Sequence, residues 1–158
     1  MEKHLFRVNS KIVRAVFSIN QVKHVLQYDS VRTLSFAVIH PHLSYELLAW
    51  GNTSHANMNK TVKLQKRAIL TIDKSGFNSH TDPLFKRSGI LELKDLYEYQ
   101  TTLFMLDYIN NRLPLSFNST FEFNHQIQNI HTTRQTNLLH ITRCKYNFAR
   151  NYIFPHIL

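Results

Sequence analysis

Lys60, Lys63, Lys66 and Arg67 lie within one short stretch, and their spacing is the first hint of chemistry in this chain. At about 100° per residue they project to one side of a helix whose other side carries Met58, Val62, Gln65, Ile69 and Ile72. Cations set about one turn apart can neutralise successive phosphates along a nucleic-acid backbone. Lys74 extends the row. A second row, Lys3, Arg7, Lys11 and Arg14, recurs at helical intervals near the start of the chain. The plainer alternative for both rows is a solvated helix face with no ligand. A membrane surface also attracts basic amphipathic helices, but this apolar seam is moderate and lacks bulky aromatic residues.

Groups able to make or break covalent bonds are scarce. The ten histidines form no Cys/His array with zinc spacing. His40 and His42 are two residues apart, and such positions on a helix do not face each other. No two acidic residues are adjacent, and the three glycines form no phosphate-cradling loop and no G-x-S-x-G elbow. Cys144 sits in a sparsely patterned basic tail with nothing beside it to mark a nucleophile. No catalytic residue, cofactor or metal is therefore assigned within the chain.

The elements that must position these cations are helices. Leu5, Val8, Ile12, Val16, Ile19, Val22 and Leu26 give a first helical stripe, broadened by Phe17 and Val25. From Val31 to Trp50 the chain is apolar on almost every side, which predicts a central helix buried by several neighbours, with Tyr45 and Trp50 in the core. Asp29 and Ser30 are expected to cap its start and Gly51 to end it in a left-handed conformation. Pro41 predicts a kink near His40, or a break. The flanking helices are expected to pack onto this element.

Asn52 to Asn57 reads as a short antiparallel turn, with Ser54 or Asn57 able to cap the basic helix that follows. Gly76 marks that helix's end. Asp82-Pro83 is a helix-start signal, a capping carboxylate followed by proline, for one short turn from Leu84 to Ser88 stopped by Gly89. Leu93, Leu96, Tyr97, Gln100, Leu103, Phe104 and Tyr108 predict a last helix ending near Asn110-Asn111, before Pro114. Its acidic residues suit it to packing on the basic helices rather than to phosphate. The fold class expected is mainly α, a small bundle of about four helices over residues 1–114. An irregular basic tail follows over 115–158, where Phe117, Phe121 and Phe123 are spaced like a short extended segment.

Composition sets outer limits. The chain has 158 residues, 43% hydrophobic and 12% aromatic, which is enough for a real core and argues against wholesale disorder. No apolar run reaches the ~18 residues of a membrane span. The start, Met1-Glu2-Lys3-His4, runs into a charged periodic segment rather than a signal peptide, and the lone Cys144 fits a reducing, intracellular compartment. The net charge of +9 is concentrated in residues 1–30 and 57–76, which carry five basic side chains each against two and one acidic. Such a distribution fits a polyanionic partner.

Several strings occur in a telling order. Ile39-His40-Pro41-His42-Leu43-Ser44-Tyr45 is followed by Trp50-Gly51-Asn52-Thr53, then by Leu64-Gln65-Lys66-Arg67-Ala68-Ile69. His80-Thr81-Asp82-Pro83-Leu84-Phe85 and Ile90-Leu91-Glu92-Leu93-Lys94-Asp95-Leu96-Tyr97 come next. The ordered set, over roughly residues 11 to 150, resembles the C-terminal region, thumb and post-thumb, of non-LTR (LINE-like, jockey-type) retrotransposon reverse transcriptases. The resemblance implies a thumb that closes over an RNA/DNA template–primer duplex, docked on a polymerase palm missing from this chain. In such an enzyme the palm's adjacent aspartates hold Mg²⁺, so this chain alone is expected to be inactive. Helix geometry nominates Lys60, Lys63, Lys66 and Arg67 as phosphate contacts, with Arg7, Lys11 and Arg14 next; the family strings support Lys66 and Arg67 directly. A nuclear location is implied as well. Family members continue to Gly-Pro and Trp-Asn motifs, whereas here Asn151-Tyr152-Ile153-Phe154-Pro155 is followed by three residues, which leaves open a truncated tail. The alternative reading is a non-catalytic helical interaction module, or a decayed transposon reading frame without activity.

Overall fold

The computed structural model describes residues 2–117. Among them the fold is mainly α, with no strand: α1 (Glu2–Val22), α2 (Tyr28–Val38), α3 (His40–Ser44), α4 (Leu47–Trp50), α5 (His55–Ile72), α6 (Asp82–Ser88), α7 (Leu93–Ile109) and a 3₁₀ turn (Leu115–Phe117). The expectations for Phe121, Phe123, Cys144 and most of the tail fall outside the described residues, while Phe117 lies in the 3₁₀ turn rather than an extended segment. Two compact units divide the chain within α7, the first being Met1–Gln100 and the second beginning at Thr101.

In the first unit the apolar stripe of α1 meets that of α5, and this pair makes the principal interface. Leu5, Val8, Ile12, Ala15, Val16 and Ile19 are buried with Met58, Val62, Ala68, Ile69 and Ile72. Thr61 on α5 is fully buried and donates its hydroxyl proton to Asn9 Oδ1 on α1, 2.9 Å away, so this polar side chain at the seam is satisfied. α2 packs on both α1 and α5. The organising element is therefore the α1–α5 pair, not the apolar stretch 31–51.

That stretch is three short helices, not one. Pro41 has no N–H to continue a helix, so α2 closes at Ile39, whose N–H donates to Ser35 O at 2.8 Å, and Pro41 sits in the first turn of α3. A second break falls at Tyr45–Glu46, where Glu46 is left-handed (φ +52°). Each short helix buries its own few residues, among them Val31, Leu43, Leu47 and Trp50, and leaves Ala37, Val38 and Ala49 outside. Tyr45, expected in the core, is 64% exposed because the break turns it outward. α1 ends at Val22, four residues short of Leu26, so Val25 lies outside the stripe and Phe17 on its solvent side; both are exposed.

Helix ends differ from the expected caps in several places. Asp29 lies inside the first turn of α2 with Gln27 as N-cap, and Asp82 is the first residue of α6 with Thr81 as N-cap, so both carboxylates face helix dipoles rather than cap by hydrogen bonds. Ser30 also lies within α2. Ser54 stands at the N-cap position of α5, but its side chain makes no capping hydrogen bond. The left-handed residue after α5 is Lys74 (φ +56°), not Gly76: Ser75 N–H bonds Leu70 O at 3.1 Å and Lys74 N–H bonds Thr71 O at 3.3 Å. Lys74 tolerates this position while its ammonium donates to Leu26 O at 3.0 Å, tying the end of α5 to the α1–α2 connection. Gly51 is right-handed (φ −63°); a side chain there is excluded by space, because a Cβ would lie 2.6 Å from Leu47 O and press on the Tyr97 ring.

Gly89 is the residue that needs its conformational freedom. It ends α6 at φ +64°, with Ile90 N–H bonded to Phe85 O at 3.2 Å. An added Cβ would also stand 3.2 Å from Arg32 Nη2. Arg32 cannot easily withdraw, since its Nε donates to Ser88 O at 2.5 Å and its guanidinium lies 5.1 Å from the Phe36 ring centroid. Gly89→Ala is expected to lower stability by about 1–2 kcal/mol, the ordinary cost of a left-handed L-residue. Urea denaturation checks this as a lower midpoint at unchanged slope.

Within the second unit, Asp107 and Arg112 approach to 3.8 Å, Arg112 N–H closes on Asp107 O at 2.8 Å, and the Phe104 and Phe117 rings meet edge to face with centroids 5.7 Å apart. Asn111 takes the left-handed position (φ +52°) at the end of α7, where the sequence places a stop.

Candidate functional site

The cations sort into those already engaged and those left to solvent. Arg32 is held by Ser88 and Phe36, and Lys74 by Leu26. Arg87 pairs with Asp73 at 2.6 Å and lies 5.0 Å over the Tyr28 ring, while Asp73 also accepts from the Ser75 hydroxyl. Lys66 reaches Glu92 at 3.3 Å, so of the four nominated residues on α5 it is the one partly neutralised. Lys60, Lys63 and Arg67 are exposed, and no ion pair engages them among the described residues. They lie on the side of α5 opposite the buried residues Thr61, Val62, Gln65, Ala68, Ile69 and Ile72, as the sequence spacing predicts.

Arg7, Lys11 and Arg14 are likewise exposed and unpaired among the described residues. They line a groove of about 350 Å³ together with His4, Phe6, Val8, Ser10, His42 and Tyr45. The groove runs between α1 and α3. Phe6 is 74% exposed, and Tyr45 stands where α3 ends, so two accessible aromatic rings share a recess with three full positive charges. The Nε2 atom of His4 is sheltered from solvent and has no hydrogen-bond partner among the described residues. None of the α5 cations lines this groove. Each row lies on the side of its helix away from the core that α1 and α5 share.

The helical spacing of Arg7, Lys11 and Arg14 anticipates the cations of the groove, but nothing in it anticipates the rings. Phe6 carries no distinguishing pattern, and the apolar run around Tyr45 points to the core instead. A signal for Tyr45 is nonetheless present in Ser44-Tyr45-Glu46, three consecutive residues with polar groups between Leu43 and Leu47.

A second recess, of about 170 Å³, lies among Phe36, Ile39, Leu43, Ile69, Ile72, Leu96 and Tyr99. Its walls are apolar, and two polar side chains that reach it are occupied: Ser35 Oγ donates to Arg32 O, and Gln65 bonds at both ends of its amide. His40 and Tyr99 are the other residues with polar side-chain atoms on its wall.

No group of three or more His, Cys, Asp and Glu side chains gathers at metal-binding distance among the described residues. Asp73 and Asp107 are each turned to an arginine. Among the described residues no set of carboxylates fits the Mg²⁺ that the resemblance implies. No described helix is long and apolar enough to cross a membrane. What the geometry offers is two positive rows, one along α5 and one in a groove with exposed aromatic residues. No family model, curated protein or solved structure matches the chain.

Proposed function

We propose that this chain holds nucleic acid by its phosphates through basic helix faces, as a thumb-like piece of a non-LTR retrotransposon reverse transcriptase that does no polymerisation by itself. The observation that supports the holding role is the row Lys60, Lys63 and Arg67: exposed, unpaired among the described residues, and set on the solvent side of a helix whose other side is buried. A row kept only for solubility gains from mixed charges of the kind that pair Lys66 with Glu92 nearby. A row with one sign of charge along two turns is what phosphate binding asks for. The transposon part of the reading rests on the ordered strings alone, and with it come the template–primer duplex as ligand, the missing palm as partner, Mg²⁺ in that palm, and a nuclear location.

Phosphate contacts carry no sequence information, so binding is expected to be tolerant of sequence and steeply dependent on salt. Replacing Lys60, Lys63 and Arg67 together by alanine should reduce the slope of log K against log salt for an RNA–DNA duplex by about 2–3, at ~0.9 for each phosphate no longer neutralised. Lys66→Ala should change it less, because its charge is shared with Glu92. Fluorescence anisotropy titrations across a range of salt concentrations measure both. A triple variant with the wild-type slope and affinity removes the α5 assignment.

One observation favours the alternative of a helical interaction module. Phe6, Val13 and Phe17 are all exposed along one side of α1. Unpartnered apolar rows of this kind support association between protein surfaces. Sedimentation of the chain over a range of concentrations separates the readings, since salt-insensitive self-association without nucleic-acid binding would favour the module.

A further inference from the structure

We infer that the groove between α1 and α3 takes an unpaired nucleic-acid strand, its phosphates on Arg7, Lys11 and Arg14 and its bases stacked on Tyr45 and Phe6. This rests on the nucleic-acid reading and adds a second site to it, distinct from the α5 row in both place and ligand.

One feature of the groove points to a single strand rather than a duplex. Its rings are exposed where its charges are. Tyr45 is 64% and Phe6 74% exposed, and both line the recess that Arg7, Lys11 and Arg14 line. A duplex presents phosphates and groove edges and keeps the faces of its bases stacked inside, so it would leave both rings idle. An unpaired strand offers a π-face from every base, and stacking on aromatic side chains beside a positive track is the general device for holding it. The cations follow a short line, which suits the phosphates of a strand whether paired or not. At 1.5 Å per residue Arg7 and Lys11 are about 6 Å apart along the α1 axis, and Lys11 and Arg14 about 4.5 Å. The row is thus short enough for consecutive phosphates of one strand.

Backbone geometry also holds Tyr45 in place. Its N–H donates to Pro41 O at 2.9 Å and its carbonyl accepts the indole proton of Trp50 at 2.8 Å, so both backbone groups are fixed while the ring stays exposed.

The test uses the full 158-residue chain and two labelled probes, an oligothymidylate of about twelve nucleotides and an RNA–DNA duplex of about twelve base pairs, lengths within the span of single-strand sites. Tyr45→Ala is expected to weaken oligothymidylate binding about 5- to 150-fold, the loss of one stacked base, and to leave duplex binding within about twofold. Tyr45→Trp should restore it. The Arg7, Lys11, Arg14 triple alanine variant should lower the single-strand salt slope by about 2, at ~0.7 per phosphate. The Lys60, Lys63, Arg67 triple variant should leave it unchanged. Circular dichroism confirms the fold of each variant, and because the Tyr45 side chain is outside the core, its truncation should not disturb it.

Unchanged oligothymidylate binding by Tyr45→Ala overturns the inference while leaving the α5 reading standing if the α5 variant still loses duplex. Loss of single-strand binding only in the α5 variant moves the strand to α5 and overturns it too. Absence of binding to either probe ends both readings. An acidic peptide, such as a labelled oligoglutamate, that binds in a Tyr45-dependent way when oligothymidylate does not would make the groove a protein-docking site instead.

Discussion

Replacing Gln65 by alanine is expected to destabilise the first unit by about 3–5 kcal/mol, the sum of two polar losses and a cavity. Gln65 lies on the buried side of α5 and is 2% exposed, yet both ends of its amide are used. Its Nε2 donates to Leu91 O at 2.8 Å, and its Oε1 accepts from Leu93 N at 2.8 Å. Leu93 is the first residue of α7 and is fully buried, so its N–H is one of the donors that a helix start leaves without an intrahelical partner. A side chain from another helix supplies the missing cap. Truncation leaves the Leu93 N–H and the Leu91 carbonyl unpaired, at about 1–3 kcal/mol each, and opens a void where the side chain stood. Gln65→Leu fills most of the volume and isolates the polar loss, so it should cost less, about 2 kcal/mol. Urea denaturation of both variants orders these effects. Hydrogen exchange adds a local readout: the Leu93 amide, at the start of α7, should exchange much faster in either variant relative to the amides of α5. An alanine variant within about 0.5 kcal/mol of wild type would mean that the bond at the start of α7 contributes nothing to the fold.

This bond also marks where sequence reading stops. The period-3.6 pattern around Gln65 tells which side of α5 it occupies, and a polar residue on an apolar seam tells that something must satisfy it. The partners lie 26 and 28 positions further on, in a connection whose path depends on Gly89 turning left-handed and Arg32 gripping Ser88. Periodicity is local, so it reports faces and says nothing of which distant backbone atoms arrive there. The same limit explains Gly51. A glycine after a helix suggests a left-handed end, whereas the actual constraint is the Tyr97 ring arriving from α7.

The α5 row is legible because it needs only helix geometry. Charges at 60, 63 and 67 cannot share a side with Val62, Ile69 and Ile72 once the segment is helical, and the structure keeps them apart. The state of Lys66 is not legible, since Glu92 meets it only through the α6–α7 connection. The α1 groove is half legible. Its cations fall on a helical row, but its second wall depends on a break at Tyr45–Glu46 that no glycine or proline announces. Glu46 takes a left-handed conformation that costs an L-residue about 1–2 kcal/mol, and packing must offset it.

Trp50 is the residue best placed to supply that offset, and Trp50→Ala is expected to cost about 3–5 kcal/mol. The indole is 2% exposed in the core of the first unit. Its Nε1–H donates to Tyr45 O at 2.8 Å, and the backbone N–H groups of Ala49 and Trp50 bond Glu46 O at 2.9 and 3.1 Å. The break is thus bracketed: the indole fixes the residue before Glu46, and the first turn of α4 fixes Glu46 itself. Trp50→Phe keeps most of the apolar burial and loses the indole donor, so it should cost less, about 1–2 kcal/mol. As the chain has one tryptophan, wild-type emission should be blue-shifted when folded and move to the red on unfolding; the variants are followed by circular dichroism. The two substitutions also separate stability from binding. With the indole donor gone and the fold retained, Tyr45 loses the anchor on its carbonyl, and Trp50→Phe should weaken oligothymidylate binding by a smaller factor than Tyr45→Ala while leaving duplex binding unchanged. If Trp50→Phe lowers stability but leaves single-strand affinity at the wild-type value, the indole braces the break without positioning the ring.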